Sequence, residues 1–333
     1  CNGFSRSTSA NVLRRCCGSM IRKSKKSCEH NSAPCVVNVQ KRFPPADVAT
    51  KGAEPCRPVA IGLHAQDLDN QLAPRAIAYG SKFTAVLLFL PVQASAFKWD
   101  YIQGYLDRGY DVHLVIEFMS KTPLDDINNG HYDGVLQSFA KAANRYTGRK
   151  QVYIRPLHEL NSNWYSWGVF YKAPDGSNIP VYLNAYRRVV SVMRQSAPGK
   201  FLFQQHYNPV NYGADKYFPL KQMYAGDDYV DMVTVSVYNA CGTSSVILRS
   251  FVQVFNTFYY QMTAITNRPM GIGEISTTSY CGVDKPAWIR EAWHQLAIKY
   301  TKVTAVDFFL ENKPFGKTLK NWDLNTPADV SAF

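Results

Sequence analysis

Long apolar runs are scarce. The longest, Phe83 to Leu90, is stopped by Pro91. A bilayer-spanning helix needs about 20 apolar residues, so no segment is expected to cross a membrane. Charge is thin as well: 19% of the 333 residues are charged and 46% are hydrophobic, which excludes a disordered, collagenous or coiled-coil chain. No glycine-rich phosphate loop follows an early strand, since Ile61-Gly62-Leu63-His64 is no such fingerprint. An open doubly wound sheet, the alternative architecture, therefore lacks its usual cofactor motif. No N-x-S/T sequon with a permitted middle residue occurs, so N-glycosylation lends no support to secretion. No cofactor and no metal is called for; His64, Asp67 and Asp69 are the one conceivable ligand set, and their spacing matches no standard site.

Cysteine and positive charge are concentrated at one end. Six of the eight cysteines (Cys1, Cys16, Cys17, Cys28, Cys35 and Cys56) fall in the first 56 residues, as do ten Lys and Arg against three acids. That density, with few large apolar neighbours, reads as a small secreted module stapled by disulfides. Zinc is the rival, but there is no paired C-x-x-C and only His30 is near. The net +7 there fits an acidic polysaccharide, an anionic partner surface, nucleic acid or a solvated tail. The expected partner is an acidic polymer or another extracellular protein, not nucleic acid. The module has no Trp, which argues against a stacking carbohydrate module. Cys241 and Cys281 are the remaining two and are expected to pair with each other. The first residue is Cys, with no signal-like stretch, so a processed secreted or cell-wall protein is expected.

From residue 57 to 333 the text alternates between strand-length apolar runs and longer amphipathic stretches. Strands are predicted near 58–64, 83–90, 111–118, 151–158, 200–206, 230–238, 269–275 and 303–311. Most are nearly continuous apolar runs, as in strands covered on both faces. Helices are predicted near 97–108, 128–146, 216–226, 246–266 and 285–300. The clearest follows Asn178 as a cap, with Pro180 in its first turn. Tyr182, Ala185, Tyr186, Val189, Val190 and Met193 form one face of it, and it stops at Pro198-Gly199. Eight alternations predict a (β/α)8 TIM barrel, preceded by the Cys-rich segment.

Active groups in such a barrel stand at the C-terminal ends of strands. Strand four runs into Arg155-Pro156-Leu157-His158-Glu159-Leu160-Asn161-Ser162-Asn163-Trp164-Tyr165-Ser166-Trp167-Gly168, and strand seven ends in Gly271-Ile272-Gly273-Glu274-Ile275. Two carboxylates facing each other across the mouth are what glycosidic cleavage needs: one protonates the departing oxygen, the other attacks carbon or activates water. Aromatic residues, 14% of the chain, supply flat faces for sugar rings. His64 and Glu117 end strands one and three and point toward the mouth. His206 and Asn208 follow strand five and are cleft candidates. Trp288 and Trp293 read as core.

The strand-four text resembles the signature of glycoside hydrolase family 26, an Arg-Pro-x-His-Glu run leading to an Asn and a Trp-Tyr-x-Trp cluster. The resemblance covers about 57–333, and Asp231 to Tyr238 is similar to the family's strand six. It implies a retaining endo-β-glycanase on a (β/α)8 barrel, acting on β-1,4-mannan, β-1,3-xylan or mixed-linkage β-glucan. It implies Glu159 as general acid/base, Glu274 as nucleophile, and Tyr238 as hydrogen-bond donor to the nucleophile. His158 would orient the acid or bind sugar. Trp164, Trp167 and the Asn161 of the run would be substrate-side residues, and His64 joins them as a substrate-binding candidate from its place at the end of strand one. Strand eight departs from the family: Leu310 stands where a Trp floors the sugar, leaving Phe309 or Trp322 to take over, and Ser276 replaces a glycine. A non-catalytic barrel serving as a sugar-binding or structural part of an extracellular coat therefore stays open as the second reading.

Overall fold

The computed structural model describes residues 59–333. The N-terminal module expected over 1–56, its disulfides and its partner lie outside the described residues.

Eight strands close a parallel barrel in sequence order. They are β1 (Ala60–His64), β2 (Ala85–Pro91), β3 (Asp111–Glu117), β4 (Val152–Pro156), β5 (Phe201–Tyr207), β6 (Met232–Asn239), β7 (Met270–Thr277) and β8 (Val303–Phe308). β1 pairs with both β2 and β8, so no edge remains open. The outward rows of these strands, such as Val233, Val235 and Val237 of β6, are buried beneath helices. That is why each reads as a continuous apolar run. No helix of the described residues is long and apolar enough to cross a membrane.

The helices are α1 (Ala73–Ala78), α2 (Asp100–Asp107), α3 (Pro123–Asn128), α4 (Asp133–Ala143), α5 (Ile179–Ser196), α6 (Phe251–Ile265), α7 (Lys285–Ile298) and α8 (Pro327–Ala332). The periodic face of α5 is buried as expected, and Trp288 and Trp293 are core. Asn178 stands at the N-cap of α5 but does not cap with its side chain, which donates to Tyr171 O instead. Four expectations change. The helix expected over 128–146 is the shorter α4, which Gly130 at φ 82° separates from α3, a helix that ends at Asn128 and was not expected. Residues 216–226 hold only a short 3-10 turn, Leu220–Met223, after Pro219. The helix of 246–266 begins at Phe251, because Ser250 and Gln253 form a reciprocal capping box there. Strand eight ends at Phe308, and the chain then folds into an antiparallel hairpin, β9 (Asn312–Phe315) and β10 (Thr318–Asn321). A turn after β1, Leu68–Leu72 followed by α1, was not legible at all.

The barrel axis carries a buried polar network rather than only apolar layers. Arg155 is fully buried; its Nε donates to Gln204 Oε1 at 2.8 Å, Nη1 to Gly273 O at 2.9 Å and Nη2 to Asp307 Oδ2 at 2.9 Å. His113 Nδ1 lies 2.7 Å from the same Asp307 oxygen. A buried charge is tolerable only when paired and fully hydrogen-bonded, and this network ties β3, β4, β5, β7 and β8 together. Gly62 makes room for it, because a Cβ there would collide with the Asp307 carboxylate.

Candidate active site

Glu159 reaches the barrel mouth through two left-handed residues. Leu157 and Glu159 both have φ 53°, with His158 between them. For a residue with a Cβ this conformation costs about 1–2 kcal/mol, so the surroundings must hold it. Tyr182 donates to Leu157 O at 3.4 Å and Trp167 Nε1 to His158 O at 2.9 Å. Asn208 Nδ2 donates to Glu159 O at 3.4 Å, and Val169 N to Leu160 O at 2.8 Å. Every carbonyl of the turn has a donor, and Glu159 is projected into the mouth.

Glu274 is aimed by a bulge. Along β6 and β7 the register runs Thr234 with Gly271 and Val235 with Ile272, then slips so that Ser236 faces Glu274. Gly273 is the extra residue. Strict alternation would put Gly271 and Gly273 inward and turn Glu274 outward toward the helices; the extra residue reverses the parity and turns Glu274 inward. The bulge is pinned by Arg155 Nη1 on Gly273 O. A Cβ on Gly273 would stand 2.9 Å from Arg155 and from His206 Cε1, so only glycine fits.

The two carboxyl groups meet across Ser236. Neighbouring strands lie about 4.8 Å apart, Ser236 and Glu274 are register partners, and Ser236 Oγ donates to Glu159 Oε1 at 2.7 Å. His206 Nε2 lies 3.0 Å from the same Oγ. Trp164 Nε1 donates to Glu159 Oε2 at 3.0 Å, and Tyr238 Oη donates to Glu274 Oε2 at 2.7 Å.

Burial dominates the electrostatics. It raises the Glu159 carboxyl above its ordinary range, against the Ser236 and Trp164 hydrogen bonds and the charges of Lys320 and Lys313. Glu274 is pushed up to about 7, first by burial and then by the Glu159 charge. The expectation that donors such as Tyr238 keep Glu274 readily ionised is thus outweighed. The two carboxyl groups titrate as a coupled pair, both raised, and a proton the pair retains is shared between them. Burial and the Arg155 charge lower both imidazoles beneath it, His158 to about 3 and His206 well below its usual value, so both are neutral. The Tyr238 phenol is raised by burial and by Glu274, and remains a proton donor in the hydrogen bond.

The carboxylates open into a cleft of about 670 Å³, whose lining includes Trp164, Tyr165, Tyr212, Tyr238, Arg249, Lys313, Lys320 and Trp322. Of the expected substrate-side residues, Trp164 is 46% exposed and available. Trp167 is not: it is buried, and it backs Tyr165 at 4.5 Å with nearly parallel rings. Tyr165 is the ring presented to the cleft. Asn161 is fully buried; its side chain donates to Asn208 O and Val210 O and accepts from Asn208 N, stapling the loop after β5. His158 is buried behind Tyr165 and can orient the turn but not touch sugar. His64 is buried, with Nδ1 3.2 Å from Leu87 O and its ring stacked on Phe309 at 4.4 Å. Phe309 is buried in turn and is no open platform. Glu117 is half-buried, and its charge acts on Tyr165. Asp67 caps the turn after β1 and Asp69 pairs with Arg108, so with His64 they form no ligand set.

Cys241 and Cys281 are bonded, tying the loop after β6 to the loop after β7 on the rim of this cleft. Tyr165, Ser236, Lys313 and Lys320 were not singled out from sequence. Tyr165 sits within the Trp-Tyr-x-Trp text and Ser236 two residues before Tyr238, so both positions were in view; the two lysines gave no signal.

Against known proteins, the model described as Glycosyl hydrolase family 26 matches residues 113–304. Endoglucanase H of Acetivibrio thermocellus is 31% identical over 244 residues, 71% of this chain and 25% of that protein. Mannan endo-1,4-beta-mannosidase of Bacillus subtilis is 26% identical over 125 residues, 37% of this chain and 30% of that protein. The match thus spans between a quarter and a third of the length of these curated relatives. A solved GH26 beta-mannanase from Bacteroides ovatus superposes with a TM-score of 0.58 at 15% identity, covering 82% of this chain and 86% of that one, and shares the fold.

Proposed function

The chain belongs to glycosyl hydrolase family 26, and from that premise we propose that it is a retaining endo-β-glycanase. The reactive form of the coupled pair carries its proton on Glu159. Glu274 then attacks the anomeric carbon as carboxylate while Glu159 passes that proton to the glycosidic oxygen, so the leaving chain departs neutral. Glu159, now a carboxylate, takes a proton from the water that cleaves the glycosyl–Glu274 ester. The product keeps the starting anomeric configuration, and both groups return to their initial protonation states. The observation that carries this reading is the placing of both carboxyl groups in one cleft on either side of Ser236. Tyr238 steadies Glu274, and Trp164 steadies Glu159 while offering an exposed ring to a sugar. The names of the curated relatives support a β-mannan or β-glucan backbone. The rim disulfide supports a secreted or cell-wall setting.

The test is release of reducing ends from β-1,4-mannan, β-1,3-xylan and mixed-linkage β-glucan by the chain and by Glu159→Gln and Glu274→Gln. We expect cleavage of at least one polymer, with Glu159→Gln slower by about 10²–10⁴-fold and Glu274→Gln inactive. Binding without release by the unaltered chain would replace this reading with the non-catalytic coat component.

A further inference from the structure

The cleft is lined unequally on its two sides. Beside the β4 and β5 loops stand Trp164 and Tyr212, both exposed aromatic rings. On the other side leans the β9–β10 hairpin, which brings two ammonium groups over the rings that could have floored a sugar. Lys313 Nζ sits 4.7 Å from the centre of Phe309 and 5.7 Å from that of Trp322. Lys320 Nζ sits 4.7 Å from Trp322 and 4.4 Å from Phe315. Trp322 is buried, with Tyr238 stacked on it at 4.5 Å. Neither Phe309 nor Trp322 therefore takes over from the missing strand-eight Trp. In place of a flat apolar face the structure offers a pair of cations.

Those cations have no direct ion-pair partner, and the carboxylates that act on them are Glu159 and Glu274 across the cleft. Among the described residues neither Lys313 nor Lys320 has a carboxylate within ion-pair distance. Arg249 lines the cleft as a third cation, also without an ion pair. Both ammonium groups lie over the Trp322 ring, and burial and the Lys313 charge lower the Lys320 amine against the opposing pull of Glu159. Three cations line the cleft against the two carboxylates Glu159 and Glu274, so positive charge is in excess even with both ionised. A neutral glycan does nothing to relieve that excess, whereas an anionic group entering beside the hairpin relieves the repulsion and gains charge-assisted hydrogen bonds.

We propose that the cleft takes a β-linked polysaccharide bearing anionic groups, with one carboxylate of a uronic residue or one sulfate ester seated against Lys313 and Lys320. This rests on the reading of Glu159 and Glu274 as the catalytic pair and adds to it the chemical class of substrate.

One backbone in three forms tests it: a neutral β-mannan or β-glucan, the same polymer oxidised at C6 to uronate, and the same polymer sulfated. The ratio of kcat/KM on each charged form to that on the parent is measured for the full chain and for Lys313→Met/Lys320→Met. We expect a ratio above one for at least one charged form, falling about tenfold or more in the double variant. The fall should reside in KM, and it should shrink as salt rises. Which charged form shows it separates uronate from sulfate. A preference for the neutral parent, or a ratio the double variant leaves unchanged, overturns the inference and leaves the catalytic reading standing. Cleavage of none of the three removes the catalytic reading instead. The inference is then decided by retardation of the same two proteins in gels containing each polymer. Stronger retardation by a charged form that weakens in the variant supports it, and equal retardation overturns it. The basic N-terminal residues are common to both proteins and cancel in the comparison.

Discussion

Replacing Glu274 by Gln should stabilise the fold at neutral pH while removing activity. Glu274 is 7% exposed, and its pKa rises from 4.5 to about 7, chiefly through burial. Between those two values the unfolded chain ionises at this position while the folded chain keeps its proton. The native state therefore binds more protons, and stability falls as pH rises. The loss is about 1.4 kcal/mol per pH unit, roughly 3 kcal/mol over the interval, after which it levels off. Gln keeps the acceptor for Tyr238 and has no charge to bury. Urea unfolding of both proteins at pH 4.5, 6 and 8 reads the effect of the coupled pair, because every titrating group outside it is common to the two. The variant should gain steadily on the parent from pH 4.5 to 7 and hold that gain at 8. Parallel stability curves would refute the electrostatic account of the site. Glu159→Gln should flatten part of the same slope, since the Glu159 charge is the second cause of the shift.

Gly273→Ala should cost about 1–3 kcal/mol by overpacking and lower activity out of proportion, because its Cβ meets Arg155 and His206 and disturbs the bulge that aims Glu274; unfolding and turnover measured together check this. Trp167→Ala should lose about 3–5 kcal/mol of stability as a buried ring, whereas Trp164→Ala should leave stability nearly unchanged and raise KM; the reverse pattern would restore Trp167 as the platform. Loss of the Cys241–Cys281 bond, by a Cys241→Ala/Cys281→Ala pair, removes a cross-link worth up to about 4 kcal/mol for its loop length. It should reduce activity more than it reduces barrel stability, and an equal loss of both would count against a rim-shaping role.

The barrel was legible because its strands are covered on both faces and so print continuous apolar text, as in Val233 to Val237. The two glutamates were legible because each stands near the C-terminal end of such a strand, Glu159 three residues past β4 and Glu274 three residues before the end of β7. Which neighbours face the cleft was not. Two left-handed residues, Leu157 and Glu159, set the facing after β4, so Trp167 and Asn161 turn inward to packing and loop-stapling while Tyr165 faces out. The bulge at Gly273 had a trace in the sequence, two glycines around Ile272 in a strand, but not its consequence for side-chain parity. The β9–β10 hairpin had little to announce it: four residues a side, mostly polar, with Gly316 in the turn at φ 58°. Its lysines find the cleft only through tertiary packing on Phe309 and Trp322.

The central claim is that Glu274 forms and releases a covalent bond to sugar while Glu159 moves the proton. Incubation with a 2-deoxy-2-fluoro glycoside carrying a good leaving group, followed by mass analysis of the intact chain and its peptides, addresses it directly. A single added glycosyl mass on the peptide containing Glu274, absent in Glu274→Gln, is the result expected. Turnover of the glycan with no trapped adduct and inverted product configuration, or an adduct on another carboxylate, would contradict the account.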